Sequence, residues 1–178
     1  TSVGVAVAIN VAHMTNRAVI DTGAVGMGDG VAVATSMKDV GSNSSHNFAA
    51  QAISGGSSGD NGVAGSFALN VSDTRSEGVV FGTVNSGTGS STIGAGNTSE
   101  AVVEAKASAD AANTGVGMSI GINVVDNATR AALESNATLV DGAGALSIAA
   151  SGNHENTTTA TSGSAARDGK GVGGSLSI

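Results

Sequence analysis

The sequence predicts an all-β fold, a parallel β-solenoid (β-helix), on three observations. One segment recurs along the chain, each copy alternates large and small residues with period two, and Gly, Asn and Asp break the stretches between copies into short pieces. The copies are Gly4-Val5-Ala6-Val7-Ala8-Ile9-Asn10-Val11, Gly65-Ser66-Phe67-Ala68-Leu69-Asn70-Val71 and Gly117-Met118-Ser119-Ile120-Gly121-Ile122-Asn123-Val124, with Asn-to-Asn offsets of 60 and 53 residues. A fourth begins at Gly171, where Gly171 to Ile178 aligns with Gly115 to Ile122 at an offset of 56. The whole chain therefore reads as one continuous solenoid segment of a longer array, with repeats at about 2–61, 62–114 and 115–170 and a fourth started at 171–178. Units of roughly 53–60 residues are expected to hold two or three turns each, so three units would rise roughly 30 to 45 Å at ~4.8 Å per turn.

Within each copy the large residues keep one phase: Val7, Ile9 and Val11; Phe67, Leu69 and Val71; Ile120, Ile122 and Val124; Leu176 and Ile178. Period two places them on one face of a strand, and that face is expected to line the structural core. The other face carries Ala6, Ala8, Ser66, Ala68, Ser119, Gly121, Ser175 and Ser177. Its flatness would let a second sheet, from this coil or a neighbouring fibre, pack very close. Asn10, Asn70 and Asn123 suggest a ladder of stacked amides, but units of two or three turns would set them about 10 to 14 Å apart. Strand-end side chains bonding to backbone are the reading that follows.

Further along each unit, Arg17-Ala18-Val19-Ile20-Asp21 and Arg130-Ala131-Ala132-Leu133-Glu134 read as shorter strands, as do Val31 to Ala34 and Leu146 to Ala149. Gly28-Asp29-Gly30 and Asp141-Gly142 carry turn chemistry between such pieces. Residues 86–99 read as a flexible insertion in the second unit. Residues 99–112 have the best helix propensity in the chain, yet the alternation of Val103, Ala105 and Ala107 argues for strand.

Gly, Ala, Ser and Thr make up more than half of the 178 residues, and there is no Trp, Tyr, Pro or Cys. Aromatic platforms, disulfides and thiolate chemistry are thereby excluded. A net charge of −7 has the wrong sign for nucleic acid or an anionic membrane surface, and no apolar run is long enough to insert into a membrane. His13, His46 and His154 are scattered without ligand spacing and read as surface turns. The turn acids Asp29, Asp60, Asp141 and Asp168 could hold calcium only if carboxylates stacked from corner to corner; an Asx-turn role is the plainer one. The Gly-x-Ser-x-Gly matches at Gly55 to Gly59 and Gly117 to Gly121 have no helical pattern after them to make a nucleophile elbow, and no paired-carboxylate pattern occurs, so neither catalytic nor cofactor-binding residues are assigned. Asn-x-Ser/Thr occurs at Asn43, Asn70, Asn97, Asn127, Asn136 and Asn156, marking possible glycosylation sites in an exported chain.

The recurring Gly-Val-Gly-x-Ser-x-x-x-Asn-Val, followed by Ala-x-Ile/Leu-Asp/Glu and then Gly-Ala-x-x-Val/Leu-x-Ile/Val-Ala, resembles repeats of very large secreted bacterial surface proteins. These are the filamentous-haemagglutinin-like and leukotoxin-type filamentous adhesins, and the resemblance covers essentially the whole chain. It implies a secreted, cell-surface location, filament or biofilm formation and attachment to surfaces. The expected function is a structural stalk or fibre segment of an adhesin-like protein, with no catalysis and with self-association or a neighbouring fibre as partner. An alternative is a module that binds a host or matrix glycan or protein through the loops at 54–61, 86–99 and 162–171. A third, a β-helix enzyme acting on polysaccharide, would require clustered carboxylates in a groove.

Overall fold

The computed structural model describes residues 1–39, 41–140 and 144–178. Among the described residues every regular element is a strand: β1 (Ser2–Ile20), β2 (Val25–Met27), β3 (Val31–Thr35), β4 (His46–Ser58), β5 (Asn61–Val80), β6 (Thr83–Asn85), β7 (Ser91–Ala111), β8 (Thr114–Leu133), β9 (Thr138–Val140), β10 (Leu146–Ala166) and β11 (Lys170–Ser177). All pair in parallel. Sheet A runs β1-β5-β8-β11; sheet C runs from β10 through β7 to β3 and β4; the short sheet B is β2-β6-β9. Each coil traces a long side in A, a three-residue side in B and a long side in C, so its outline is a flattened triangle.

The parallel β-solenoid expected from the sequence is present, but its turn count needs correction. Asn10 pairs with Asn70 and Asn70 with Asn123, so each repeat is one coil instead of two or three. Short strands were expected because Gly and Asn punctuate the sequence, yet β5, β7, β8 and β10 each run through 20 or 21 residues. At about 3.3 Å per residue a coil is roughly 65 Å wide, and three steps at about 4.8 Å rise only about 14 Å. The molecule is a plate, wider than it is tall.

The packing face is also reversed. Val7 and Ile9 are 63% and 62% exposed, whereas Ala68 and Asn70 in the next coil are fully buried at 0%. Val11, Val124, Leu176 and Ile178 likewise face outward and exposed, and Phe67, Leu69, Val71, Ile120 and Ile122 are half-exposed on the same side. None of these eleven residues forms the core. The reason is the spacing of the sheets: a Cβ added at Gly4 or Gly78 would overlap the carbonyl of Gly55 or Gly94 in the opposite sheet. Mostly small side chains fit at that approach, so Ala50, Ala52, Ala68 and Ala105 fill the middle around a single larger Val103.

Larger side chains enter where sheet B wedges the two long sheets apart. There Val33, Val80, Val84 and Ile93 cluster, with Ile20 and Leu133 packed against them. At the corner between β1 and β2 the Ala24 amide donates to the Asp21 carbonyl at 3.0 Å, and Gly23 takes a φ of 79° that favours glycine. Residues 99–112 are strand through Ala111, as the alternation argued. The insertion expected at 86–99 is instead mostly β7, paired with β3 and β10. The surplus lies elsewhere. Residues 36–45 stand where the second coil has only 96–98, which accounts for the difference between the 60- and 53-residue offsets.

Candidate functional site

The feature of sheet A that its interior does not use is its outer face. Register stacks the large residues into columns that run along the solenoid axis: Val7-Phe67-Ile120-Leu176 is one, and Ile9 and Leu69 begin another that continues through Ile122. A third column, Val5-Gly65-Met118-Gly174, alternates large and absent side chains. Met118 stands 57% exposed, whereas no heavy atom lies within 4 Å of a Cβ built on Gly65 or Gly174. A shallow apolar groove of about 220 Å³ opens at this place, lined by Val5, Val7, Phe67, Met118 and Ile120 beside Gly65. Parallel sheets ordinarily have both faces covered. With the flanking columns headed by Val3 and Val11, five columns spanning about 27 Å by four coils of about 19 Å make roughly 500 Å² of mostly apolar surface, the size of the largest patch a typical monomer carries.

Beside the apolar columns the same face is charged but balanced. His13 Nδ1 lies 2.9 Å from Asp73, Arg75 lies 3.7 Å from Asp73, and Arg17 lies 3.5 Å from Glu77. Arg130 stacks in register on Glu77 and pairs with Glu134. The outer face of sheet C differs: Glu100, Glu104, Asp110 and Glu155 share it with Lys106, and Glu100 stacks directly on Glu155.

Between the sheets lies a polar network. One Asn10 Nδ2 hydrogen donates to Asn70 Oδ1 at 2.6 Å, and Asn70 Nδ2 donates to Asn123 Oδ1 at 2.8 Å. This is the amide ladder that the sequence reading set aside, and it exists because one coil per repeat brings the amides one strand spacing apart. Further along, Asn97 Nδ2 donates to Thr74 Oγ1 at 2.9 Å and Thr74 donates to Asn127 Oδ1 at 2.5 Å. Ser99 Oγ lies 2.8 Å from His154 Nδ1 and 3.3 Å from Asn127 Oδ1. Such a Ser–His contact can activate a hydroxyl, but Ser99 is 3% exposed inside the plate, where it ties neighbouring coils together. Sequence spacing gave no sign of it, since the partners are 55 residues apart.

The sequence-assigned sites distribute accordingly. Asn70 and Asn97 are buried and Asn127 is turned inward onto Thr74 and Ser99, so glycosylation there is corrected: an inward amide cannot accept a glycan. Asn156 stacks in register on buried Ala101 but lies in the end strand of its sheet and is exposed. Asn43 and Asn136 are exposed, with Asn43 Oδ1 accepting from the Ser45 amide at 2.7 Å. His46 and His154 are not surface turns but sit in strands on either side of Ser99 in register, and burial lowers the His46 pKa from 6.5. Asp29 accepts from Thr88 at 3.0 Å and Asp60 from Asn113 at 2.5 Å, each tying one corner to the next coil. Asp141 and Gly142 lie outside the described residues.

The loops expected at 54–61 and 162–171 are mostly strand closed by tight corners. Beside Ser36, Met37 and Asp39 a cavity of about 360 Å³ is also lined by Asn97 and Asn153. Among the described residues no three His, Cys, Asp or Glu groups gather as a metal set, and no helix is long and apolar enough to cross a membrane. Comparison with protein-family models, with curated proteins and with solved structures finds no significant match.

Proposed function

We propose that this chain is a structural segment of a bacterial cell-surface or extracellular fibre, an adhesin-like array whose work is mechanical and needs no catalysis. The observation that carries the reading is the in-register stacking of coils along one axis, with the Asn10–Asn70–Asn123 ladder inside. β1 and β11 each pair on one side only, so the geometry accepts further coils at both ends. The resemblance of the repeats to filamentous adhesins supports the same placement.

The fibre gains little length in this way. Each coil of 53–60 residues advances about 4.8 Å but presents about 65 Å of sheet on either side. Its product is a broad, repeating surface held on a stiff plate, more than reach.

Duplicating residues 115–170 in frame tests the mechanical part. One added coil should leave the β signal per residue unchanged and raise the unfolding midpoint, since an end coil becomes an interior one. An added copy that stays unfolded or lowers the midpoint refutes it. For the location, antibody raised to the chain should label intact cells of the source bacterium; a chain shielded from external antibody and protease until lysis rejects a surface role.

A further inference from the structure

The apolar face of sheet A carries a knob and a hollow in one column, and we propose that it docks a second copy of this chain through an isologous contact. The knob is Met118 and the hollow is at Gly65, one coil apart. A twofold axis lying along the strands, between the second and third coils, exchanges those coils and keeps the column. Met118 of each copy then sits over Gly65 of the other. The same operation sets Val5 over Gly174, so every large residue in the column meets an absent one. In the neighbouring column it sets Phe67 against Ile120. Self-complementarity of this kind is what a twofold contact requires.

Charge selects the same face. Beside the apolar columns Arg17, Arg75 and Arg130 equal Asp73, Glu77 and Asp126 in number, and the twofold axis sets Glu77 against Arg130 as well as Asp73 against Asp126, whereas sheet C's outer face carries four carboxylates against one lysine and repels its own copy. Two faces of roughly 500 Å² bury about 1,000 Å², the lower bound of a specific interface, so four coils give a weak dimer and longer arrays a tighter one. A partner with the same 4.8 Å repeat matches the columns coil for coil, and a copy of the chain is one. The inference goes beyond the fibre reading and does not depend on it.

The test is an exchange of knob and hollow, read by sedimentation equilibrium from about 10 to 500 µM, a range suited to a weak dimer. The parent chain should dimerise. Gly65→Met, which adds apolar surface but fills the hollow, should weaken the dimer about tenfold or more, and Met118→Gly should weaken it by removing the knob. The double variant Gly65→Met/Met118→Gly should regain the parent affinity within about threefold, because the twofold axis again sets methionine over glycine. Met118→Ala serves in place of Met118→Gly if the glycine weakens the β signal in circular dichroism. A parent that stays monomeric overturns the proposal, including one that instead sediments with phosphatidylcholine vesicles. So does a Gly65→Met variant that associates as tightly as the parent or more so, the result of unspecific stickiness or of end-to-end pairing, and so does a double variant without rescue.

Discussion

Asn70 is the middle member of the amide ladder, and its replacement tests whether the interior is held by polar contacts. Its side chain is fully buried, accepts from Asn10 at 2.6 Å, donates to Asn123 at 2.8 Å and lies 3.4 Å from Ser72 Oγ. Asn70→Ala removes two amide bonds worth about 1 kcal/mol each net and leaves Asn123 Oδ1 without its donor, at about 1–3 kcal/mol. Asn10 lies in the end coil and is half-exposed, so water replaces part of its loss. The expected cost is about 2–4 kcal/mol, out of the 5–15 kcal/mol typical of a domain. With no Trp or Tyr to report, urea unfolding is followed by far-ultraviolet circular dichroism, and the midpoint should fall by about 1–2 M at unchanged slope. Asn70→Asp adds a signature. A buried carboxylate has its pKa raised above about 3.9, so its penalty is complete above the raised value and vanishes below the unfolded one. Protonated, it again donates to Asn123 and accepts from Asn10. Its deficit relative to the parent should therefore shrink between pH 7 and pH 4. An Asn70→Ala variant within about 0.5 kcal/mol of the parent, or an Asn70→Asp deficit that ignores pH, would refute the reasoning; exposed Asn136→Ala is the neutral control.

The reversal of faces predicts opposite outcomes at adjacent positions: Ala68→Arg should abolish the cooperative β transition, whereas Leu69→Thr should cost under about 1 kcal/mol by the same urea titration. Gly78→Ala drives a methyl into the Gly94 carbonyl and should cost about 1–3 kcal/mol, while Gly65→Ala, with open space around it, should change stability by no more than about 1 kcal/mol. Burial lowers the His46 pKa, so the unfolded chain takes up the proton first; stability is complete above about pH 6.5 and falls as pH drops towards the folded value. Urea midpoints at pH 7.5 and 5 should differ less for His46→Gln than for the parent, and equal differences would show that His46 is not a source of the acid sensitivity.

The repeat offsets and the strict alternation were enough to read the parallel solenoid, because pairing register is written into a sequence that aligns Asn10 with Asn70 and Asn123. Two further features were not legible. The width of a coil depends on whether Gly-rich stretches bend, and residues such as Gly56 and Gly78 run straight through β4 and β5 because the facing sheet needs their missing side chains. Which face turns inward was misread for the same reason: alternation fixes two faces but not the distance to the next sheet. The signal was present in the excess of Gly, Ala and Ser, which permits only the small face to meet another backbone. The apolar face became a candidate site through that reversal, and the Ser99–His154 contact through register alone.

An interior of alanine, serine and glycine has little apolar surface to bury, so cohesion has to come from pairing along the axis. The burial pattern agrees: in the second coil β5 and β7 are buried at nearly every inward position, while the equivalent positions are only partly buried in β1 and partly buried to exposed in β10. A single coil would leave its polar interior atoms, Asn70 and Thr74 among them, facing water instead of the next coil's amides. Each added coil satisfies those groups and contributes two more edges of backbone hydrogen bonds. Stability is therefore a property of the stack and should rise with coil number until ends no longer matter. The outer face of sheet A gains only lateral contact between stacked side chains, which leaves Phe67 and Leu69 half-exposed where Val7 and Ile9 of the end coil are exposed, because these side chains point away from the opposite sheet. Its apolar surface grows in proportion to the array, and the longer the array, the greater the free energy available to whatever covers it.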